Sequence, residues 1–423
     1  LIRYLGTFEK AAVVSNDYAP FNVVIVLKLG NAPQPDTIRT ALDHLQTKLP
    51  LLRARITRNK NKYWFEEDPE NPQIPLNTIS WNQNSTWEAI AETEMAHSFN
   101  KGKAPLIRAT FVQRGKDGDL ILTAHHSIID GVSGIDLAEQ LLSLCAGYSN
   151  KSGDTSDIPT PEKLLPPSHQ GLNKIKHMTR FAFSQFKDEI SFWLKNFSKR
   201  KPQVYKGGKG KVLSMTLPEE LVNQLAIQSR SNEVTINSVL NAAQVLAVNR
   251  ILYKHKDVRM ATFTFADLRP FLAPPLSNHQ LGGWVTLFRI FLDVLGDSDI
   301  WLVTKNLHEK IYQSINRGDK FSSFLASELL LKMMTGIKIR FGASALNYSG
   351  VIPLKNQYGP IEVLGVHGLV SGFDLAPEFS SQARIFNDKI IWDFIYLDTD
   401  MDQAIAMRLL DEIHYILQKA VKK

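Results

Sequence analysis

The stretch Ala124-His125-His126-Ser127-Ile128-Ile129-Asp130-Gly131 gathers two imidazoles, a carboxyl group and a glycine within eight residues. Metal ligation, proton transfer and base-assisted nucleophilic attack all use such groups. Consecutive side chains on a strand point to opposite faces, so His125 and His126 are poorly placed to chelate one ion together. The chain has a single cysteine and no H-E-x-x-H pattern, and no metal is expected. A neutral imidazole can instead take a proton from a hydroxyl, amine or thiol near physiological pH. One histidine is then a general base and the other is architectural. Asp130 either orients that imidazole, as in a triad, or braces the loop through an arginine, and spacing alone does not choose. Gly131 suits a tight turn into the following segment, where a side chain would obstruct.

A serine hydrolase needs a pattern such as G-x-S-x-G. The nearest stretches, "GVSGI" (131–135) and "GASAL" (342–346), lack the last glycine.

The elements that position these residues follow from periodicity. "FNVVIVLKL" (21–29) predicts a strand, "PDTIRTALDHLQTKL" (35–49) an amphipathic helix, and 51–67 a pair of strands. A helix is expected over 86–99. Two strands joined by a turn at Lys116-Asp117-Gly118-Asp119 then deliver the chain to the histidines. Helical periodicity begins with "SGIDLAEQLLSLCAGY", where Ser133 and Asp136 have the spacing of a capping box. The octapeptide thus lies on a passage from strand to loop to helix.

Residues 149–170, rich in Ser, Pro, Gly and Asp, predict a linker. A helix (177–197) follows, and then a second series of α/β elements. It comprises strands at "KVLSMTLP", "VRMATFTFADLR", "GWVTLFRIFLDV" and "FGASALNYSG", with helices between them. It closes with strands near 361–367, 381–386 and 389–397 and a helix over 402–420. The fold class expected is α/β, with two comparable lobes.

H-H-x-x-x-D-G after a strand and before a helix resembles the signature of the chloramphenicol acetyltransferase-like superfamily, which includes condensation domains. "RYLGTFEK" near the start resembles its opening strand, and "ALDHLQTKLPLLRARI" (41–56) its helix with a proline turn. "ADLRPFLAPPLSNHQLGGW" (266–284) is similar to a segment of stand-alone acyltransferases of the phthiocerol dimycocerosyl transferase type. "NYSG" (347–350) is similar to a late turn of the superfamily.

The resemblance implies two chloramphenicol acetyltransferase-like lobes, each a mixed β-sheet with helices, meeting at a substrate channel. The N-terminal lobe with the motif is expected over 1–165, a crossover helix and basic linker over 166–211, and a C-terminal lobe over 212–423. It further implies acyl transfer from a thioester donor, acyl-CoA or an acyl carrier protein, with no permanently bound cofactor. By the same likeness His126 is the general base, while His125, Asp130 and Gly131 support the loop. An arginine pairing with Asp130 is implied as well, and Arg289 and Arg269 are the candidates. Condensation domains carry an asparagine-threonine pair after the glycine segment, where this chain reads Gly282-Gly283-Trp284-Val285. Transfer to a hydroxyl is therefore expected ahead of transfer to an amine. The competing expectation is a non-catalytic module of the same fold that binds a carrier protein or small ligand.

Composition agrees with a globular protein: 423 residues, 44% hydrophobic, 22% charged, net charge +7. The positive stretch from Lys195 to Lys211 is read as a solvated linker, and no nucleic-acid partner is expected. The opening "LIRYLGTFEK" has no charged n-region followed by a long apolar run. With no run of about 18 apolar residues in the chain, no transmembrane segment and a cytoplasmic location are the expectations. Cys145 is expected to be an inert buried thiol, and "FLASELLLKMMTGI" (324–337) a core-packing amphipathic helix.

Overall fold

The structure is a computed structural model that describes residues 2–60, 62–148, 159–196, 207–337, 340–371 and 377–422. The expected linker at 149–170 and the basic stretch Lys195–Lys211 lie partly outside these residues, at 149–158 and 197–206.

In chain order the described elements are β1 (Arg3–Tyr4), α1 (Thr7–Ser15), β2 (Asn22–Gly30), α2 (Pro35–Lys48), β3 (Ala54–Asn59), β4 (Lys62–Glu67), β5 (Leu76–Ser80), α3 (Trp87–Ala96), β6 (Ile107–Arg114), β7 (Asp117–His125), α4 (Gly131–Cys145) and α5 (Gly171–Asn196). There follow β8 (Gly210–Leu217), α6 (Glu219–Ser231), α7 (Ile236–Leu252), β9 (Val258–Asp267), β10 (Val285–Val294), α8 (Ile300–Asn316), α9 (Asp319–Ile337) and β11 (Ser344–Val351). The chain ends with β12 (Gln357–Tyr358), β13 (Ile361–Val370), β14 (Phe379–Phe386), β15 (Lys389–Leu397) and α10 (Gln403–Val421). The fold class is α/β, as expected.

Two compact units share the chain. The first is Leu1–Leu165 with Asp267–Val285 and Val351–Gly372; the second is Pro166–Ala266, Thr286–Gly350 and Phe373–Lys423. The expected lobes are contiguous stretches, whereas these units interleave. Hydrogen bonding is the reason: β13 pairs antiparallel with β2, from Glu362 opposite Gly30 to Val370 opposite Val23. The hydrophobic pattern identifies a strand but carries no address for its partner.

The first unit holds a six-stranded mixed sheet in the order β12-β13-β2-β7-β6-β5 and a small sheet, β1-β4-β3. At its centre, β2 is a β-branched run buried on both faces, with Val24, Val26 and Leu27 fully covered. Its register sets Asn22 opposite His125, so the last residue of β7 is held by pairing along the strand. Helix α4 covers this sheet at close range. A Cβ added to Gly134 would lie 2.4 Å from Ile25 Cδ1, so this glycine permits the approach.

The second unit holds a six-stranded mixed sheet, β10-β9-β11-β14-β15-β8. Helix α7 is buried all round from Ser238 to Asn249, and α10 buries Ala406, Leu409, Ile413, Leu417 and Ala420 at helical spacing. Trp392 and Phe394 stack at 5.0 Å beneath them. Helix α9 buries Phe321, Phe324 and Leu331 and exposes Leu329 and Lys332, as an amphipathic helix on a core does. No described helix is long and apolar enough to cross a membrane.

Two local expectations are corrected. The stretch "RYLGTFEK" is only briefly extended, because the chain turns into α1 at Thr7. The β6–β7 hairpin turns at Gly115-Lys116, with Gly115 at φ 62°, and Asp117 to Asp119 already belong to β7. A two-residue turn needs positive φ, which glycine adopts without a steric penalty.

Candidate active site

The motif sits where β7 ends. His125 donates its backbone N–H to Leu106 O and His126 donates to Phe21 O, each at 2.9 Å, which ties the histidine pair to both neighbouring chain segments. Both side chains are buried, His125 at 0% and His126 at 6% exposure. Their surroundings differ: His125 faces the edge of Phe99, whereas His126 is flanked by Phe8 and Phe21 with ring centroids 5.2 and 4.8 Å away.

Hydrogen bonding assigns the tautomer of His126. Its Nδ1 lies 2.9 Å from the carbonyl oxygen of Ile129, which can only accept, so Nδ1 carries the proton and Nε2 carries the lone pair. Burial lowers the pKa of this imidazole, and the Ile129 contact and the Asp130 charge oppose that shift in part. The ring is therefore neutral at pH 7, with a basic nitrogen. His125 is pushed down to about 3, chiefly by burial. Its Nδ1 pairs with Ser127 Oγ at 2.7 Å and its Nε2 has no partner among the described residues. These contacts suit an architectural ring.

Asp130 braces the loop. Its Oδ1 accepts from Ser133 N and Ser133 Oγ, each at 3.0 Å, and from Arg269 Nη2 at 3.1 Å. Its Oδ2 accepts from Trp284 N at 2.9 Å and lies 3.0 Å from Arg269 Nη2. With five contacts spread over both oxygens, this carboxylate is already occupied by groups other than the imidazole. Its pKa stays low despite complete burial, because Arg269 and the N–H donors offset the desolvation. Asp130 is also the N-cap of α4: Ser133 N–H donates to it and Ser133 Oγ accepts from Asp130 N at 3.1 Å.

That geometry corrects the expected cap. The box is Asp130 with Ser133, so α4 starts at Gly131, and Asp136 instead meets His279 Nδ1 at 2.8 Å and Gln140 Nε2 at 2.6 Å. Gly131 is an exposed helical residue and is not among the glycines with positive φ. The conformational freedom expected of it is not used in a left-handed turn.

Of the two candidate arginines, Arg269 is the partner. It is 1% exposed and also donates through Nη1 to Asp267 Oδ1 at 2.9 Å and through Nη2 to Gln280 O at 3.0 Å. The segment 267–284 closes on itself, with Leu268 N–H donating to Trp284 O at 2.7 Å, and so presents Arg269 and Trp284 N together. Arg289 pairs elsewhere: it bonds Glu189 and, at 2.7 Å, the carbonyl of Phe341, within the second unit. The strand parity of Arg289 suggested a partner, but parity fixes a face of a sheet and not a neighbour.

Other residues at the site carry no motif. Glu9, fully buried, takes two N–H groups of Arg3 at 2.7 and 2.6 Å and the N–H of Gly6 at 2.7 Å. This holds α1, and with it Phe8, beside His126. Gly283 lets Phe8 lie there, since a Cβ on Gly283 would be 2.4 Å from Phe8 Cδ1. Only the glycine doublet hinted at this, without showing what approaches it.

Cys145 is half-buried, and its thiol is pushed up to about 12 by burial, as expected of an inert group. Among the described residues no cluster of three His, Cys, Asp or Glu side chains is placed to hold a metal ion. The second unit contains a separate cavity of about 490 Å³, lined in part by Thr264, Phe288 and Tyr348.

With this geometry in hand, relatives define the class. The chain belongs to the condensation-domain family, whose model matches residues 12–270. The model described as phthiocerol/phthiodiolone dimycocerosyl transferase C-terminus matches residues 208–354. A linear gramicidin synthase of Brevibacillus parabrevis is 24% identical over 298 residues, 68% of this chain. The chain spans only 5% of that protein's length.

Among solved structures, a trichothecene 15-O-acetyltransferase from Fusarium sporotrichioides aligns at a TM-score of 0.76 and 13% identity, over 100% of this chain and 95% of that one. Polyketide synthase associated protein 5 from Mycobacterium tuberculosis aligns at 0.68 and 15%, over 100% and 98%. At such identities the likeness shows the fold, which is that of condensation domains and chloramphenicol acetyltransferase-like proteins.

Proposed function

We propose that this protein is an acyltransferase that moves an acyl group from a thioester, acyl-CoA or an acyl carrier protein, to a hydroxyl acceptor, with His126 as general base. The observation that carries this reading is the fixed tautomer of His126, neutral by burial, on a loop held by the ionised Asp130. In the reaction, Nε2 takes the proton of the acceptor hydroxyl as its oxygen attacks the thioester carbonyl. The tetrahedral intermediate then expels the thiolate, the C–S bond breaks, and the imidazolium returns the proton to sulfur. The Asp130 charge favours the transient imidazolium without taking its proton. His125, Asp130, Ser133 and Arg269 hold the geometry and do not touch the reacting atoms. Family membership and the match to an acyltransferase C-terminus support this class of chemistry.

The test incubates the protein with a panel of acyl thioesters and alcohols and follows thiol release and ester mass. His126→Ala is expected to lose on the order of 10² to 10⁴-fold in rate. Full turnover by that variant would remove His126 from the mechanism, and carrier binding with no product from any donor would favour a binding module.

A further inference from the structure

Helix α5 is 26 residues long, or roughly 39 Å, and two of its faces are unlike. Its inner face is well anchored. Phe181 is buried, Phe192 meets Phe291 edge-on at 5.8 Å, and the Asn196 side chain bonds the backbone of Arg259 in both directions, at 2.8 and 3.2 Å. The two acids of the helix are ion-paired, Asp188 with Arg259 at 2.9 Å and Glu189 with Arg289, and Glu189 also accepts from Trp193 Nε1 at 2.8 Å.

The outer face is apolar and open. Leu172, Phe183 and Leu194 are 85%, 72% and 75% exposed, and Ile175, Phe186, Ile190 and Trp193 are exposed with them. At 3.6 residues per turn these seven side chains lie in one stripe roughly 100° wide that runs nearly the length of the helix and is interrupted by the exposed Thr179. Lys176 and Lys187 stand along one border of it, both exposed, and among the described residues neither forms an ion pair, while the neighbouring Arg180 turns its guanidinium back to the carbonyl of Arg317. Scattered exposed apolar residues need no explanation, but seven of them on one face of a charged, otherwise polar helix do.

We propose that α5 docks the protein on an anionic membrane surface, lying in the interface plane with the stripe among the acyl chains and the two border lysines at headgroup phosphates. Aliphatic, Phe and Trp side chains on one face beside Lys and Arg are the composition such helices use. The sign of the charge favours this occupant, because both acids are neutralised by arginines, the lysine border is cationic and the whole chain carries +7. A second copy fits less well. In an antiparallel two-fold pair the basic borders face each other and repel. The inference is independent of any activity at His126.

Sedimentation of the full chain with phosphatidylcholine vesicles, with and without phosphatidylglycerol, tests it. Binding to the anionic vesicles is expected, weakened by salt and lower on neutral ones. Phe183→Ser with Phe186→Ser should abolish it. Lys176→Glu with Lys187→Glu should weaken it by at least about 30-fold. All four positions are exposed, and circular dichroism is expected to be unchanged. A wild-type chain that stays in the supernatant with anionic vesicles overturns the proposal, and so does a serine variant that binds as the wild type does. A dimer in analytical ultracentrifugation that those serines dissociate, with no vesicle binding, assigns the stripe to a second copy instead.

Discussion

The Arg269 guanidinium lies 3.0 Å from Asp130 Oδ2, although the two residues are 139 positions apart and both are almost completely buried. Their contact ties the histidine loop to the segment that follows β9. A buried pair of this kind is costly to break, because the surviving charge has no water to solvate it.

Arg269→Ala should therefore destabilise the protein by about 3–5 kcal/mol in urea unfolding. In double-mutant cycles, Asp130→Asn should couple to Arg269→Gln by about 1–3 kcal/mol and to Arg289→Gln by close to zero. Strong coupling to Arg289 would contradict the pairing of Asp130 with Arg269.

The pH profile of kcat/KM should report His126. Its folded pKa lies below the ordinary value of about 6.5, and the neutral ring is the active form, so the acid limb of the profile should fall below that value. Acidification through that lowered pKa should then remove activity. An acid-limb midpoint above the ordinary value of about 6.5 would contradict this base.

His125 should make stability depend on pH. Its pKa falls from about 6.5 in the unfolded chain to about 3 in the folded one, so between these values the unfolded state binds the extra proton. Stability is fully present above pH 6.5 and is lost on acidification, by about 2 kcal/mol at pH 5 from this group. Urea unfolding of His125→Gln against wild type at pH 7 and pH 5 measures the difference, and the variant should show the shallower decline.

Gly283→Ala should disturb the base from a distance. The new methyl would displace Phe8, whose ring edge rests on His126, at a cost of about 1–3 kcal/mol. Phe8→Leu in the same chain should recover part of the lost stability. Additive losses in the double variant would exclude the steric cause.

Much of this site was legible because its chemistry is local. His125, His126 and Asp130 stand in one octapeptide, and the strand before them and the helix after them follow from periodicity. The cap was misplaced by three residues because Ser133 has the chemistry of a cap and in fact serves Asp130 as its reciprocal partner. Helix α1 escaped because Ala11, Ala12 and Val13 are buried in succession and leave no helical period to detect. Gly134, Gly283 and Arg269 act through contacts that spacing does not encode. Two arginines were candidates for Asp130, and only the folded path of 267–284 separates them.

The pairing of β13 with β2 sets an order of manufacture. The N-terminal lobe reads as the first to be made, yet the edge of β2 waits for residues 361–370 and Asp130 waits for Arg269. On the ribosome this lobe stays incomplete, with an open strand edge and an unpaired buried carboxylate, until most of the chain has been synthesised. Any truncation before Ile361 leaves the β2 edge open permanently, and one before Arg269 leaves Asp130 without its arginine as well, so expression of residues 1–165 alone yields a chain prone to edge-to-edge association.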